Sequence, residues 1–230
     1  MDGMAITRPP STSVGDYLKA IWEVAGSEAA STKEVADKLS IAPPSVTNMF
    51  TRLREMGLVE YERYHGASLT QAGRTEALRL VRRHRLIETF LMQHLGYSWQ
   101  DVHDEAERLE HSVSDEFTDR LAQLLGHPAR DPHGDLIPAK DGTMPPEDAF
   151  PLNLSREGAR VEVARVALED AAALSYLGER GLVPRSVVVV REVRAVDGVV
   201  TVEDEEGTTL SLGSSLADAI FVRGESAGGY

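Results

Sequence analysis

Residues 102–111 read VHDEAERLEH and place two imidazoles and four carboxylates within ten positions. On a helix, residues separated by four, seven and eight positions share one face. His103, Glu107, Glu110 and His111 therefore fall within about a third of a turn. Such a face is either a solvated surface, a set of ion pairs, or a site for a divalent metal.

Two further observations bear on that choice. His84 and Glu88 repeat the spacing of four residues in the preceding segment, and Asp16 lies among the apolar residues of a first helix. A buried carboxylate or imidazole must be neutralised, paired or bound to metal. For a single His/Glu pair we favour a salt-bridge network, whereas two pairs plus Asp16 favour metal. The cations available for the network are Arg79, Arg82, Arg83, Arg85 and Arg108.

The donor types narrow the choice of metal. The chain has no cysteine, which excludes disulfides, zinc–thiolate sites and thiol catalysis. Carboxylate and imidazole donors suit Mn²⁺ or Fe²⁺, although Zn²⁺, Ni²⁺ or Cu²⁺ would bind more tightly in vitro.

The elements that carry these residues begin with a helix-turn-helix pattern. Apolar spacing predicts a helix over residues 14–25. Ser31 and Glu34 form a capping box for a short second helix, and a third helix begins at two prolines and runs to about Met56. Residues 58–70 read as a two-stranded hairpin. This order predicts a winged helix-turn-helix.

The third helix is the predicted DNA-reading element. Its apolar side, which includes Val46, Phe50, Leu53 and Met56, faces inward, and the segment PPSVTNMFTRLR contains no acid. Residues 1–70 carry a net charge of −2 of the chain's −13, so DNA contact requires a local patch there. A solvated helix in a protein–protein module is the alternative. The predicted contacts to phosphates and base edges are Pro44, Ser45, Thr47, Asn48, Thr51 and Arg52.

The rest of the chain predicts an α+β protein that is mainly α. Two long amphipathic helices, over residues 71–95 and 98–126, are typical of a dimerisation element. Short β-rich runs with a helical insert then predict a small β-barrel. The predicted domains are a winged helix-turn-helix (1–70), a helical metal-binding and dimerisation domain (71–138), a linker (139–157) and the barrel (158–230).

Several classes of protein are disfavoured. There is no apolar run long enough to span a membrane and no secretory leader, so we expect a cytoplasmic protein. A di-metal carboxylate enzyme needs a Glu-x-x-His pair on each of two helices. The single such pair, Glu62 and His65, lies in the predicted wing. We therefore expect no enzymatic activity.

Four stretches together resemble the diphtheria toxin repressor family of metal-activated transcriptional repressors. They are APPSVTNMFTRLREMGLV, RRHRLIE, VHDEAERLEH and DPHGDLIP. The resemblance covers nearly the whole chain and is weaker in the C-terminal part, where it implies an SH3-like barrel.

The resemblance implies two metal sites per subunit. The primary site would be formed by Asp16, Glu107, Glu110 and His111. The ancillary site would be formed by His84, Glu88, His103 and Glu169, with Asp170 as the alternative to Glu169. Ala172 stands where family members carry a further polar ligand.

The resemblance also bears on the metal. Iron-sensing members carry Met and Cys where this chain has Asp16 and Glu107, while manganese sensors carry carboxylates. Lys19 replaces an acid found in some manganese sensors, which favours one ion per primary site. The implied function is a Mn²⁺-dependent repressor of metal-homeostasis genes that binds palindromic operator DNA as a homodimer. The alternatives are an iron-responsive member of the family and a winged-helix regulator that answers a non-metal effector.

Overall fold

The computed structural model describes residues 12–224, with side chains from residue 14 onward. The chain forms two compact units. The first comprises the residues up to 84 together with 138–143, and the second comprises 85–137 together with the residues from 144. Among the described residues, no helix combines the length and apolar composition that crossing a bilayer requires.

The first unit contains the elements of the predicted winged helix-turn-helix. Ser31 caps α2 as the sequence predicts: the Glu34 amide donates to Ser31 Oγ at 3.2 Å, and the Ser31 amide donates to Glu34 Oε2 at 2.8 Å. The β1–β2 hairpin is antiparallel, and Glu62 faces Gly66 at its tip. The elements are α1 (Thr12–Ala25), α2 (Thr32–Lys38), α3 (Pro43–Glu55), β1 (Val59–Glu62), β2 (Gly66–Leu69) and the first half of α4 (Gln71–Leu95).

Helix α3 packs by its apolar face, with one correction. Val46, Phe50 and Leu53 are fully buried, as predicted. The prediction that Met56 faces inward is wrong, because Met56 follows the last helical residue as its C-cap and is 44% exposed. Gly57 then adopts a φ of +72°, which turns the chain out of the helix.

The second unit contains the rest of α4 followed by α5 (Val102–Glu110) and α6 (Asp115–Leu124). The prediction of one helix over residues 98–126 is wrong, since residues 111–114 interrupt it. The Ser114 hydroxyl accepts a hydrogen bond from the Phe117 amide at 3.2 Å and starts α6 as its N-cap. His111 is the C-cap of α5, so it lies at a helix end and not along a continuous face.

The same unit holds a six-stranded antiparallel sheet in the order β3-β8-β4-β5-β6-β7. The β-rich runs and helical insert predicted from the sequence are present. Strand β3, a 3-10 turn at Leu152–Leu154, and helix α8 were not predicted. The elements are β3 (Phe150–Pro151), β4 (Arg160–Val166), α7 (Ala171–Gly178), β5 (Val187–Arg194), β6 (Val199–Glu203), β7 (Thr209–Leu212), α8 (Ser214–Ala219) and β8 (Ile220–Arg223).

The loop DPHGDLIP joins the helices of this unit to its sheet. Asp131 Oδ1 accepts hydrogen bonds at 2.9 Å from the amides of His133 and Asp135. The backbone carbonyl of His133 accepts one from the Val166 amide of β4 at 2.8 Å. Gly134 adopts a φ of +88°, and a Cβ there would lie 2.1 Å from the Ala164 carbonyl oxygen. Only glycine fits this approach of loop to strand.

We therefore expect Gly134→Ala to lower the free energy of unfolding by about 2–4 kcal/mol, since backbone strain and a clash with main chain combine. Gly142→Ala is the matched control, because Gly142 also has positive φ (+82°) but nothing within 4 Å of the added carbon. It should cost about 1 kcal/mol from strain alone. Urea unfolding of both variants measures the difference, and equal losses would contradict the tight approach at Gly134.

Candidate metal centre and nucleic-acid interface

A buried carboxylate on α4 faces two imidazoles within the second unit. The Glu88 side chain is 2% exposed. Its Oε1 lies 3.4 Å from Nδ1 of His103, in the first turn of α5, and 3.8 Å from Nδ1 of His133, in the DPHGDLIP loop. Three elements distant in sequence thus bring hard oxygen and nitrogen donors to one point.

Asp131 lies in the same cluster, beside Glu88 and His133. Glu88, Asp131 and His133 each offer one ligand atom, and the three atoms lie within 4.8 Å of one another. His133 Nε2 donates to the Trp99 carbonyl at 2.7 Å, so Nδ1 is the nitrogen that faces the cluster. A backbone carbonyl that fixes the tautomer in this way is typical of metal-binding histidines.

Sequence reasoning missed Asp131 and His133. Their motif, DPHGDLIP, contributes to the family resemblance but not to the predicted ligand set. The Asp-x-His pair within it was the signal, since both residue types bind Mn²⁺ or Fe²⁺.

The electrostatics of this cluster favour an added cation. Burial, and then the nearby Glu88 carboxylate, raise the pKa of Asp131 to about 8, against the opposing effect of Arg85. Burial alone would lower the pKa of His133, but Glu88 and Asp131 outweigh it and raise that pKa to about 9. Both shifts reflect acidic groups crowded in a buried site, where a divalent ion would compete with protons, and the donors fit such an ion.

A second cluster lies on α5 of the same unit. The Glu110 side chain is fully buried, and its Oε1 lies 3.5 Å from Nε2 of His111. Glu107 is partly buried one turn before His111. Asp16, the fourth predicted primary ligand, is partly buried on α1 of the first unit.

The remaining predicted ancillary ligands have different surroundings. His84 is buried on α4, one turn before Glu88. Glu169 and Asp170 are exposed, immediately before α7. Asp170 is the N-cap of that helix, and its Oδ1 accepts a hydrogen bond from the Ala173 amide at 2.7 Å. The assignment of all nine ligands stays a prediction.

Two of the five arginines proposed for a salt-bridge network contact carboxylates outside the nine predicted ligands, although one of these carboxylates, Asp131, belongs to the Glu88 cluster. Arg85 lies 3.5 Å from Asp131 Oδ2 and 3.5 Å from Asp135 Oδ1, and it donates to the Leu136 carbonyl. Arg108 donates to Glu105 at 3.0 Å. These contacts hold the DPHGDLIP loop and the outer side of α5.

The face of α3 that is predicted to contact DNA is largely exposed. Pro44, Ser45, Thr47, Asn48 and Arg52 are exposed, and Thr51 is partly buried. The hydroxyls of Thr47 and Thr51 donate to the carbonyls of the preceding turn, at 3.3 and 3.1 Å. Asn48 and Arg52 are therefore the side chains best placed to donate hydrogen bonds outward.

The hairpin tip adds residues that sequence reasoning did not select. Tyr64 is 89% exposed with a φ of +73°, and the Arg63 guanidinium carbon lies 5.1 Å from the centre of its ring. A cation supported by an exposed aromatic ring at the wing is suited to contact with phosphate.

Three family models match successive parts of the chain. They are "Iron dependent repressor, N-terminal DNA binding domain" (residues 11–67), "Iron dependent repressor, metal binding and dimerisation domain" (70–139) and "FeoA domain" (150–224).

Individual relatives agree. The HTH-type transcriptional regulator MntR of Lysinibacillus sphaericus is 35% identical over 117 residues, which are 50% of this chain and 84% of that protein. A solved structure titled "Manganese-dependent transcriptional repressor complex with manganese" is 40% identical, with a TM-score of 0.86 over 92% of this chain and 99% of the other. The chain belongs to the diphtheria toxin repressor family. The iron-dependent repressor IdeR of Mycobacterium leprae is 28% identical over 207 residues, 84% of this chain and 90% of that protein.

As a member of the diphtheria toxin repressor family, the chain is a metal-dependent, DNA-binding transcriptional regulator and not an enzyme. The predicted fold class is confirmed. The matched DNA-binding domain covers its winged helix-turn-helix as far as Ala67 in β2, and its small sheet lies within the matched FeoA domain.

DNA binding through α3 gives a testable expectation. Arg52→Met should weaken operator binding about tenfold and lower the salt dependence by about one phosphate contact. Arg194→Met is the control, because it removes the same charge from the end of β5, where Arg194 contacts Asp197 at 2.9 Å. Binding isotherms at several salt concentrations measure both effects. Equal losses in the two variants would contradict a specific role for α3.

Proposed function

We propose that this chain is a Mn²⁺-activated repressor that binds palindromic operators as a homodimer and controls genes of metal-ion homeostasis. The observation that carries the proposal is the pair of buried carboxylates that lie beside imidazoles. Glu88 lies 3.4 Å from His103, and Glu110 lies 3.5 Å from His111. A buried carboxylate beside an imidazole is suited to binding a divalent ion.

The proposed primary site comprises Asp16, Glu107, Glu110 and His111. The proposed ancillary site comprises His84, Glu88, His103 and Glu169, with Asp170 as the alternative to Glu169. The distances at Glu88 support Asp131 and His133 as further donors to this second site. These two residues would supply polar donors in place of the ligand that family members carry at the position of Ala172.

The donor set favours Mn²⁺ over Fe²⁺ as the signal. Asp16 and Glu107 are hard carboxylates where iron-sensing members carry softer sulfur donors. Fe²⁺ is the second candidate, because the matched N-terminal and dimerisation models are described as iron dependent and IdeR is a relative. A lower activation midpoint for one ion distinguishes the two.

The proposed mechanism depends on charge. Asp16 belongs to the first helix of the DNA-binding unit, while Glu107 and Glu110 belong to α5. Carboxylates gathered without a cation repel one another, and a bound divalent ion supplies the charge that offsets this repulsion. As shared ligands of such an ion, Asp16 and the α5 acids would hold α1 and α5 in one orientation, and the two recognition helices of a dimer would then match half-sites on one face of DNA.

The test is fluorescence anisotropy of chelator-stripped protein with its own upstream DNA, titrated with Mn²⁺ and, anaerobically, with Fe²⁺. Tight binding only with metal supports the proposal, and the ion with the lower midpoint identifies the signal. Equal specific binding with and without metal would overturn metal gating and favour a regulator that answers a non-metal effector.

A further inference from the structure

A buried lysine contacts a proposed metal ligand within the first unit. Lys19 on α1 is 5% exposed, and its Nζ lies 3.1 Å from Nδ1 of His84, which is also 5% exposed. The neighbours of Lys19 along the helix, Leu18, Ala20 and Ile21, are fully buried. Lysine is almost never buried in this way unless it has a partner.

The chemistry of this contact is incompatible with metal on the same imidazole. An ammonium group has three N–H donors and no acceptor, so Nδ1 must supply the lone pair. A neutral imidazole has one lone pair, and its other nitrogen carries the proton. A metal bound at Nδ1 takes the lone pair that Lys19 uses. A metal bound at Nε2 moves the proton to Nδ1, where it faces the ammonium.

We propose that Lys19 is a tethered cation that competes with the metal ion for His84 and so raises the metal concentration at which the ancillary site fills. The inference rests on the proposed role of His84 as an ancillary ligand. Lysine at position 19 supplies a cation that the incoming metal must displace from His84. The residue at position 19 therefore sets the metal concentration at which the ancillary site fills.

The contact itself is tested without metal. Nitrogen-15 NMR of histidine-labelled, metal-stripped protein reports which nitrogen of His84 carries the proton, and the His84→Gln variant identifies its signals. We expect the Nε2–H tautomer with Nδ1 accepting a hydrogen bond. The Nδ1–H tautomer would overturn the inference and leave the proposed function intact.

The competition is tested by Mn²⁺ binding, followed by the electron paramagnetic resonance of free Mn²⁺. Lys19→Met should lower the dissociation constant of the ancillary site about tenfold, because one charged hydrogen bond no longer has to be broken. Lys19→Arg keeps a charged donor and should bind as the wild type does. Lys38→Met is the charge-matched control, since Lys38 contacts Glu23 at 3.1 Å on another helix. It should change the constant less than twofold.

A double-mutant cycle separates competition at His84 from a general effect of charge. In a His84→Gln background, Lys19→Met should leave Mn²⁺ affinity unchanged. An equal gain in both backgrounds would show that Lys19 acts by charge alone and would overturn the inference. Wild-type protein that binds no Mn²⁺ at all would instead overturn the proposed function, and the tautomer measurement would still decide whether the contact exists. If Lys19→Met fails to fold, Mn²⁺ binding by Lys19→Arg and the tautomer of His84 still test the inference.

Discussion

Glu110→Gln is expected to lower Mn²⁺ affinity at the primary site at least about 100-fold and to return operator binding to its metal-free level. Glutamine keeps the shape of the side chain but removes the charge of a fully buried carboxylate beside His111. Changes to residues that only orient metal ligands cost 10–100-fold, so loss of a direct ligand should cost at least as much. Titration of Mn²⁺ by electron paramagnetic resonance, together with operator binding by anisotropy, measures both losses.

The control for this variant is Glu105→Gln, which makes the same change on the same helix. Glu105 accepts a hydrogen bond from Arg108 and belongs to neither proposed site. It should alter both affinities less than twofold. Unchanged Mn²⁺ activation in a folded Glu110→Gln protein would remove Glu110 from the metal centre.

Glu107→Cys is expected to reverse the order of the metals. A thiolate in place of this carboxylate softens the primary site, so Fe²⁺ should activate operator binding at a concentration about tenfold below that of Mn²⁺. Because the chain has no cysteine, any thiolate-to-metal absorption of the Co²⁺-loaded variant must come from position 107. The measurement is the activation midpoint for each ion under anaerobic conditions.

Glu105→Cys provides the matched control, since it adds a thiol to the same helix outside the proposed ligand set. It should show no thiolate-to-metal absorption and keep the metal ranking of the wild type. An unchanged ranking in Glu107→Cys would contradict the selective role given to that residue.

Sequence patterns predicted a helix or strand well where the residues of that element determine where it begins and ends. Helix α4 spans Gln71–Leu95 as predicted, because an amphipathic run of 25 residues ends at Gly96, which takes a φ of +73°. The capping box at Ser31 was predictable for the same reason. The interruption at residues 111–114 was not, because the apolar spacing continues across it and the cap at Ser114 overrides that spacing.

The residues of the candidate site also divide into those that local spacing predicts and those that only the fold brings together. A pair on one helix, such as His84 with Glu88 on α4, follows from spacing alone. Asp131 and His133 could not be placed beside Glu88 from sequence, because their loop begins 43 residues after Glu88. It is held there by Arg85 on α4 and by the Trp99 carbonyl between α4 and α5. The contact of Lys19 with His84 spans 65 positions and depends equally on tertiary packing. Spacing therefore predicts helix faces, and the fold decides which faces meet.

In the proposed mechanism, metal binding and operator binding are one coupled equilibrium. The most direct measurement is the Mn²⁺ dissociation constant of the stripped protein with and without saturating operator DNA, beside the operator dissociation constant with and without Mn²⁺. Linkage requires that each ligand tighten the other by the same factor, which we expect to be about 5–150-fold. Mn²⁺ affinity that the operator leaves unchanged would contradict the account.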